Sequence, residues 1–199
     1  MEEWFAEQPS STQTKRSSAF KKGLKRMHGC AGEEGQSRCM LLNMMLPSEL
    51  VIAAHLFPRK NEAHVQQALG FEGIDNLKNG LLLFGPLEKA LDKRQVSIIY
   101  DRNSKEFHLK LFDHHLLQQR LFDHLTESQQ WVLVDGAQGY DIETTFRAID
   151  GRKLHFGTDK RPFKRCLNLQ ARLARKKAIR EGWDFGGGLT LKTSGRRVP

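Results

Sequence analysis

A histidine at the end of an apolar run is a residue in this sequence that could do acid–base chemistry. His55 follows Val-Ile-Ala-Ala, whose β-branched and small apolar residues predict a buried strand. A neutral imidazole at a strand end can accept a proton from water. The alternative interpretation is a histidine packed in the core without a chemical role, because one titratable residue does not define a site.

An asparagine and two carboxylates follow that histidine at spacings that could complete a site. Asn79 precedes an apolar strand, where its side chain can hydrogen-bond backbone groups and brace a neighbouring loop. Glu88 and Asp92 are four residues apart, so a helix would present both on one face. Carboxylate oxygens suit Mg²⁺ or Mn²⁺. The alternatives are a plain Asn-Gly turn and a solvated acidic face that pairs with Lys89 and Lys93.

The hydrophobic pattern places these residues on two strands and a helix. The strands are predicted over residues 49–55 and 81–84, and the helix over residues 87–93, with a proline near its first turn. Further elements are predicted as a β-hairpin with strands 96–100 and 106–112, helices over 114–130 and 162–181, and a short hairpin within 146–156. We expect four segments: a disordered segment 1–36, the domain with the site 37–130, a basic helical extension 131–183 and a flexible tail 184–199.

The net charge of +9 is concentrated near the end of the chain. From Arg161 to Pro199 there are 11 Lys and Arg residues against 2 Asp and Glu. A basic end on a neutral body indicates a surface for nucleic acid, or else a solvated or partner-binding helix. The candidate phosphate contacts on the predicted helix are Lys164, Arg165, Arg172, Arg175, Lys176 and Arg180. An apolar stripe would pack the other face of the helix on the domain; it comprises Phe163, Leu167, Ala171, Ala174 and Ala178.

The sequence predicts an intracellular protein, in the nucleus or the cytoplasm, without a membrane span. It has no apolar run of about 18 residues and no apolar signal region after Met1. The odd count of 3 cysteines favours reduced thiols. His28, Cys30 and Cys39 are an alternative partial zinc site, although no Cys-x-x-Cys pair and no clear fourth ligand accompany them. The sequence does not indicate an oligomeric state.

Three motifs in chain order resemble the signature of the HNH endonuclease family. They read Ala-Ala-His-x-x-Pro at residues 53–58, Asn-x-x-Asn-Gly-Leu-x-Leu at 76–83 and Leu-x-x-x-x-Asp at 87–92. The resemblance covers residues 39–99. It is strongest to the branch of the family with an Ala-Ala-His strand, an Asn-Gly-Leu strand and a helix that reads Leu-His-x-x-Phe-Asp.

The resemblance implies an α+β fold with a ββα-metal core, in which a two-stranded hairpin packs on a helix around one divalent ion. An added β-hairpin and a basic C-terminal helix would complete this chain. The implied reaction is metal-dependent hydrolysis of phosphodiester bonds in DNA, with Mg²⁺ or Mn²⁺ expected and Zn²⁺ as the alternative ion. His55 would be the general base, Asn79 would orient it, and Glu88 and Asp92 would hold the metal.

Two departures from the family pattern leave rival interpretations open. Many HNH enzymes have an aspartate before the base histidine, where this chain has Ala54, and a helix histidine where it has Glu88. One rival is a catalytically silent nucleic-acid-binding module on the same scaffold. The second is a basic scaffold protein unrelated to nucleases, in which His55, Asn79 and Glu88 would lie far apart.

Overall fold

The computed structural model describes residues 18–183, which form a mixed α+β fold. The helices are α1 (Ser18–His28), α2 (Val65–Leu69), α3 (Gly85–Asp92), α4 (Glu127–Gly136), α5 (Phe146–Ile149) and α6 (Lys164–Glu181). The strands are β1 (Gln36–Cys39), β2 (Met44–Pro47), β3 (Val51–His55), β4 (Gly80–Phe84), β5 (Val96–Tyr100) and β6 (Phe107–Leu111). Successive strands pair antiparallel as three separate two-stranded sheets within the described residues.

The β3–β4 hairpin and α3 form a ββα unit near the middle of the described chain. The register pairs Val51 with Phe84 at one end of the hairpin and His55 with Gly80 at the other. β4 is buried along its whole length because it is apolar on both faces. Pro86 lies in the first turn of α3, where its missing N–H costs no helical hydrogen bond. α3 contacts both strands, so the helix lies against the hairpin.

The last residue of β1 and the residue after it cover one edge of β4. The backbone N–H of Met40 donates to the carbonyl of Leu82 at 2.9 Å. The N–H of Phe84 donates to the sulfur of Cys39 at 3.3 Å. These bonds satisfy backbone N–H and carbonyl groups at the edge of β4, which would otherwise be available for pairing with another chain.

β5 and β6 form a second hairpin against which α6 packs. The register runs from Val96 paired with Leu111 to Tyr100 paired with Phe107. A small apolar cluster joins the hairpin region to α6; it comprises Ile99, Phe112, Ala171, Ala174 and Ala178. The small alanines let the helix axis approach the sheet closely, and α6 ends at Gly182, whose φ of 67° is the left-handed conformation that glycine adopts most easily.

Residues 18–36 are ordered, contrary to the sequence expectation of disorder over 1–36. Phe20 and Leu24 of α1 are buried in the main core, at 2 % and 0 % exposure. Their spacing of four residues forms an apolar stripe, which the surrounding basic and serine residues obscure in the composition. The disorder predicted for residues 1–17 and the flexible tail predicted over 184–199 lie outside the described residues.

The helix predicted over 114–130 is wrong. The chain forms two short 3₁₀ turns there, at His114–Leu116 and Phe122–His124, and α4 begins only at Glu127. Thr126 accepts from the N–H of Gln129, whose side chain in turn accepts from the N–H of Thr126. This capping box starts a new helix inside the predicted one. The hairpin predicted within 146–156 is replaced by the short helix α5 and a turn.

One main apolar core runs through the described chain. It includes side chains from α1, both central hairpins and the first turn of α6, such as Leu24, Leu82, Ile98 and Leu167. The predicted division between a domain at 37–130 and an extension at 131–183 stays a prediction. Within residues 18–183, no helix combines the length and apolar character that a membrane span requires.

Candidate functional site

The imidazole of His55 is held at the end of β3 by contacts on its edge and its face. The side chain lies at the last residue of the strand and is only 7 % exposed. Its Nε2 is 2.8 Å from the Oδ1 of Asp75. The ring of Phe20 stacks on the imidazole with centroids 4.2 Å apart and an interplanar angle of 8°. These contacts restrict both the position and the orientation of the ring.

Asp75 joins the histidine to an arginine. Its Oδ2 accepts from a terminal nitrogen of Arg59 at 2.8 Å, while its Oδ1 contacts His55. Both oxygens of the carboxylate are therefore engaged, which fixes its plane. Arg59 is partly exposed at 31 % of its side chain, so the three-residue chain runs from the buried imidazole to the surface.

Asn79 ties together the two loop ends next to this chain of contacts. The residue is fully buried, and its Oδ1 accepts from the N–H of Phe57 at 2.9 Å. Its Nδ2 donates to the carbonyl of Ile74 at 2.9 Å, and its own carbonyl accepts from the N–H of Leu56 at 2.8 Å. One side chain thus links the segment after His55 to the residue before Asp75. A buried polar group satisfied in this way is costly to replace.

The two carboxylates of α3 lie in different environments. Glu88 is 5 % exposed, whereas Asp92 is exposed at the end of the helix. Within residues 18–183, no group of three or more His, Cys, Asp and Glu side chains is arranged to hold a metal ion. Mg²⁺ is usually held by one or two carboxylates, with water and substrate phosphate supplying the remaining oxygens. The two carboxylates of α3 equal the number that such an open site uses, whereas a closed protein cage would need more protein ligands.

The zinc site considered at His28, Cys30 and Cys39 is wrong, because these residues are not among any metal-binding group in the described part of the chain. The Cys30 thiol donates to the carbonyl of His28 at 3.6 Å, and the Cys39 sulfur accepts from the N–H of Phe84. Burial raises the pKa of Cys30 to about 11 and also raises the pKa of Cys39. All three cysteines of the chain are free thiols, and these two are protonated packing residues.

The basic residues predicted to contact nucleic acid are spread along α6. At its first turn, the Nζ of Lys164 lies 3.5 Å from the ring centroid of Tyr100, and Arg165 lies over Phe163 at 4.6 Å. The N–H of Phe163 donates to the carbonyl of Lys78, which attaches the start of α6 to the loop before Asn79. The remaining candidates continue along the helix: Arg172, Lys176 and Arg180 are exposed and Arg175 is partly buried.

Sequence reasoning missed the residues that contact the histidine. Neither Asp75 nor Arg59 is among the predicted site residues, and Phe20 lies in the segment expected to be disordered. Asp75 and Arg59 lie in the polar connection between the two predicted strands, where no short motif marks them as partners of His55. Phe20 is 35 residues from the histidine that it stacks on, and no local pattern connects the two.

Comparison with known protein families finds a match for one segment of the chain. Residues 39–99 match the family model described as HNH endonuclease, which confirms the resemblance inferred from the motifs. No curated protein and no solved structure matches the chain. The matched segment contains the β3–β4 hairpin, α3 and β5, whereas α1 and α6 lie outside it.

Proposed function

We propose, from the HNH endonuclease match over residues 39–99, that this chain is a metal-dependent endonuclease that hydrolyses phosphodiester bonds of DNA. The observation that supports the proposal most directly is the restrained imidazole of His55, which contacts Asp75 and follows a segment braced by Asn79. A histidine held in this way within a ββα unit is suited to activate water. The second rival, a scaffold unrelated to nucleases, does not account for the family match.

His55 acts as the general base through its Nδ1. The carboxylate of Asp75 is 2.8 Å from Nε2 and favours the tautomer with its proton on Nε2, in which Nδ1 is the basic nitrogen of the ring. The negative charge beside the ring then stabilises the imidazolium that forms. Asp75 is a positioning residue in this scheme, because it acts on the reaction through the histidine.

Asn79 holds the segments that carry His55 and Asp75 at a fixed distance from each other. Its side chain joins the backbone of Phe57 to that of Ile74, two and one residues away from His55 and Asp75 respectively. A shift of either loop would change the distance between the imidazole and the carboxylate. Misplacement of a reacting group by about 1 Å can reduce a rate by about 10²-fold.

Glu88 and Asp92 would hold the divalent ion, and Glu88 replaces the histidine found in the family at that helix position. A bound Mg²⁺ or Mn²⁺ would supply stabilisation of negative charge on the scissile phosphate and the leaving oxygen. The buried carboxylate of Glu88 favours a hard ion over a soft one. The basic residues of α6, from Lys164 to Arg180, would contact phosphates of the bound nucleic acid.

The test is a plasmid-nicking assay with Mg²⁺ or Mn²⁺ on the purified chain. We expect His55→Ala to lower cleavage by about 10²- to 10⁴-fold, the usual contribution of a general base, while DNA binding persists. Glu88→Ala should abolish the response to added metal, and chelation should stop cleavage by the unmodified chain.

The matched control is His115→Ala, which removes an exposed imidazole that also contacts an aspartate, Asp113, at 3.0 Å. This variant should cleave normally. DNA binding without cleavage by the unmodified chain would reject the enzyme and favour the silent binding module. Cleavage of RNA but not DNA would show that the substrate is RNA and contradict the proposal of a DNA endonuclease.

A further inference from the structure

A cleft lies near the candidate site. None of its lining residues is among His55, Asn79, Glu88 and Asp92. The cleft is shallow and open to solvent, with a volume of about 440 Å³, and it is formed by α1, the 3₁₀ turn at Leu77–Asn79 and the loop after Phe156. The lining residues are Gly23, Arg26, Met27, Leu77, Thr158, Asp159 and Lys160. Most of this lining comes from outside the segment that matches the family model.

The loop that forms one wall of the cleft is fixed to the end of α1. The N–H of Gly157 donates to the carbonyl of His28 at 2.8 Å, and the hydroxyl of Thr158 donates to the carbonyl of Met27 at 2.6 Å. A Cβ on Gly29 would lie 2.9 Å from the Cα of Gly157, so the two backbones touch. This wall is therefore held against the end of α1 by two hydrogen bonds and by a glycine contact that leaves no room for a side chain.

The side chains around the cleft carry more positive than negative charge. Arg26 is exposed and has no hydrogen bond or ion pair with any residue in the described range. Lys160 lies 3.8 Å from Asp159, but both side chains are exposed, so this pair contributes little. Arg161 follows immediately and stacks on Phe156 at 4.2 Å. The cleft and the loop beside it therefore carry three cationic side chains, Arg26, Lys160 and Arg161, and one carboxylate, Asp159.

The cleft is connected to His55 through α1. Phe20 stacks on His55, Gly23 lies against Leu77, and Arg26 is six residues beyond Phe20 on the same helix. At 1.5 Å per residue, Arg26 is about 9 Å along the helix axis from Phe20. A strand of duplex DNA carries one phosphate per about 3.4 Å of axis, so a distance of this length spans about three phosphates.

We propose that the cleft binds the nucleic-acid backbone a few phosphates away from the scissile bond, with Arg26 and Lys160 as the phosphate contacts. The inference rests on the proposed function for the choice of ligand. It extends the binding surface beyond α6, whose first two cations lie over aromatic rings of their own chain. Arg26 has no such internal contact and remains available to a phosphate.

The experiment measures binding of the full chain to a short fluorescein-labelled DNA duplex by anisotropy, over a series of salt concentrations and with chelator present. We expect the double variant Arg26→Glu, Lys160→Glu to raise Kd roughly tenfold and to reduce the salt slope by about 2, one unit for each lost phosphate contact. The charge-matched control is Arg147→Glu, Arg152→Glu, on α5 and the turn after it, which should change both quantities much less. Thermal unfolding of each variant checks that the fold persists.

An equal effect of the cleft variant and the control on Kd and salt slope would overturn the inference, as would a lack of DNA binding by the unmodified chain. The cleavage assay is separate from this measurement. If the unmodified chain binds DNA through the cleft but never cuts it, the nuclease proposal fails and the DNA-binding role of the cleft stands.

Discussion

At the scale of the residue, the placement of His55 depends on side chains from three different segments. Asp75 holds one ring nitrogen, Phe20 covers one ring face, and Asn79 braces the loop that follows. His55 and Asp75 contact each other directly, and Asn79 hydrogen-bonds the backbone close to each of them, so a change in one residue disturbs the placement of the others. In the proposed hydrolysis, the loss of one partner should therefore affect the rate more than substrate binding.

Asp75→Asn tests the positioning role at this scale. We expect kcat to fall about ten- to a hundredfold, the usual scale for an outer partner of a functional histidine, with KM little changed. The reason is that the amide cannot provide the negative charge that stabilises a protonated imidazole. Steady-state nicking kinetics with Mg²⁺ measure the two constants separately.

Asp123→Asn is the control, because it loses an exposed aspartate–arginine pair with Arg120 instead. A normal kcat for Asp75→Asn would show that the carboxylate is dispensable. A rise in KM with unchanged kcat would assign Asp75 to substrate binding.

At the scale of the element, α1 is attached to the ββα unit at several points along its length. Phe20 and Leu24 pack where Gly80 lacks a side chain, since a Cβ there would be 2.5 Å from Phe20 and 2.8 Å from Leu24. At the end of the helix, the Nε2 of His28 lies 3.3 Å from the carbonyl of Gly80. Lys25 donates to the hydroxyl of Ser48. α1 thereby forms a wall of the candidate site.

The burial of His28 predicts a pH-dependent loss of stability. Burial lowers the pKa of His28 below its ordinary 6.5; the hydrogen bond to Gly80 opposes the shift, and the charge of Arg161 reinforces it. Its Nδ1 is buried and has no hydrogen-bond partner among the described residues. The unfolded chain therefore binds the proton more readily, so stability is full above pH 6.5 and falls as the pH drops below that value.

His28→Gln should show a smaller loss of stability on acidification than the unmodified chain. The glutamine amide can still donate to the carbonyl of Gly80 but does not titrate. The measurement is urea unfolding at a pH above 6.5 and at a pH more than one unit below it. His124 and His155, whose pKa values burial also lowers, remain in both proteins and cancel from the comparison. An equal loss in both proteins would contradict the prediction.

At the scale of the whole molecule, the core crosses the limits of the family segment. Leu24 and Leu167 belong to the same apolar cluster as Leu82 of the hairpin, although both lie outside residues 39–99. β5 also has its pairing partner, β6, beyond the matched segment. The fold of the matched segment therefore depends on the surfaces that the rest of the chain covers.

A fragment of residues 39–99 alone should not unfold cooperatively. It would expose the apolar faces that α1, β6 and α6 bury, and a unit this small has little core to offset the loss. Thermal unfolding followed by circular dichroism compares the fragment with a chain of residues 18–183, which should show one transition. A cooperative transition in the fragment would show that the family segment is an independent domain.

The sequence alone determined the local parts of the candidate site. The apolar run before His55, the Asn-Gly turn and the helix of Glu88 and Asp92 are encoded within short windows, and their order indicated the HNH family. Such signals are readable because a strand or helix exposes its pattern over a few residues. The same reasoning failed at 114–130, where leucines at helical spacing are interrupted by turns and by the cap at Thr126.

Only the tertiary structure decided which groups surround the histidine. Asp75, Arg59 and Phe20 lie in a loop, a 3₁₀ turn and a helix, and each reaches the site through packing between distant segments. Such contacts follow from the shape of the assembled core, where Gly80 leaves the space that Phe20 fills. No periodicity in the sequence carries that information, because the partners are separated by intervening elements that have patterns of their own.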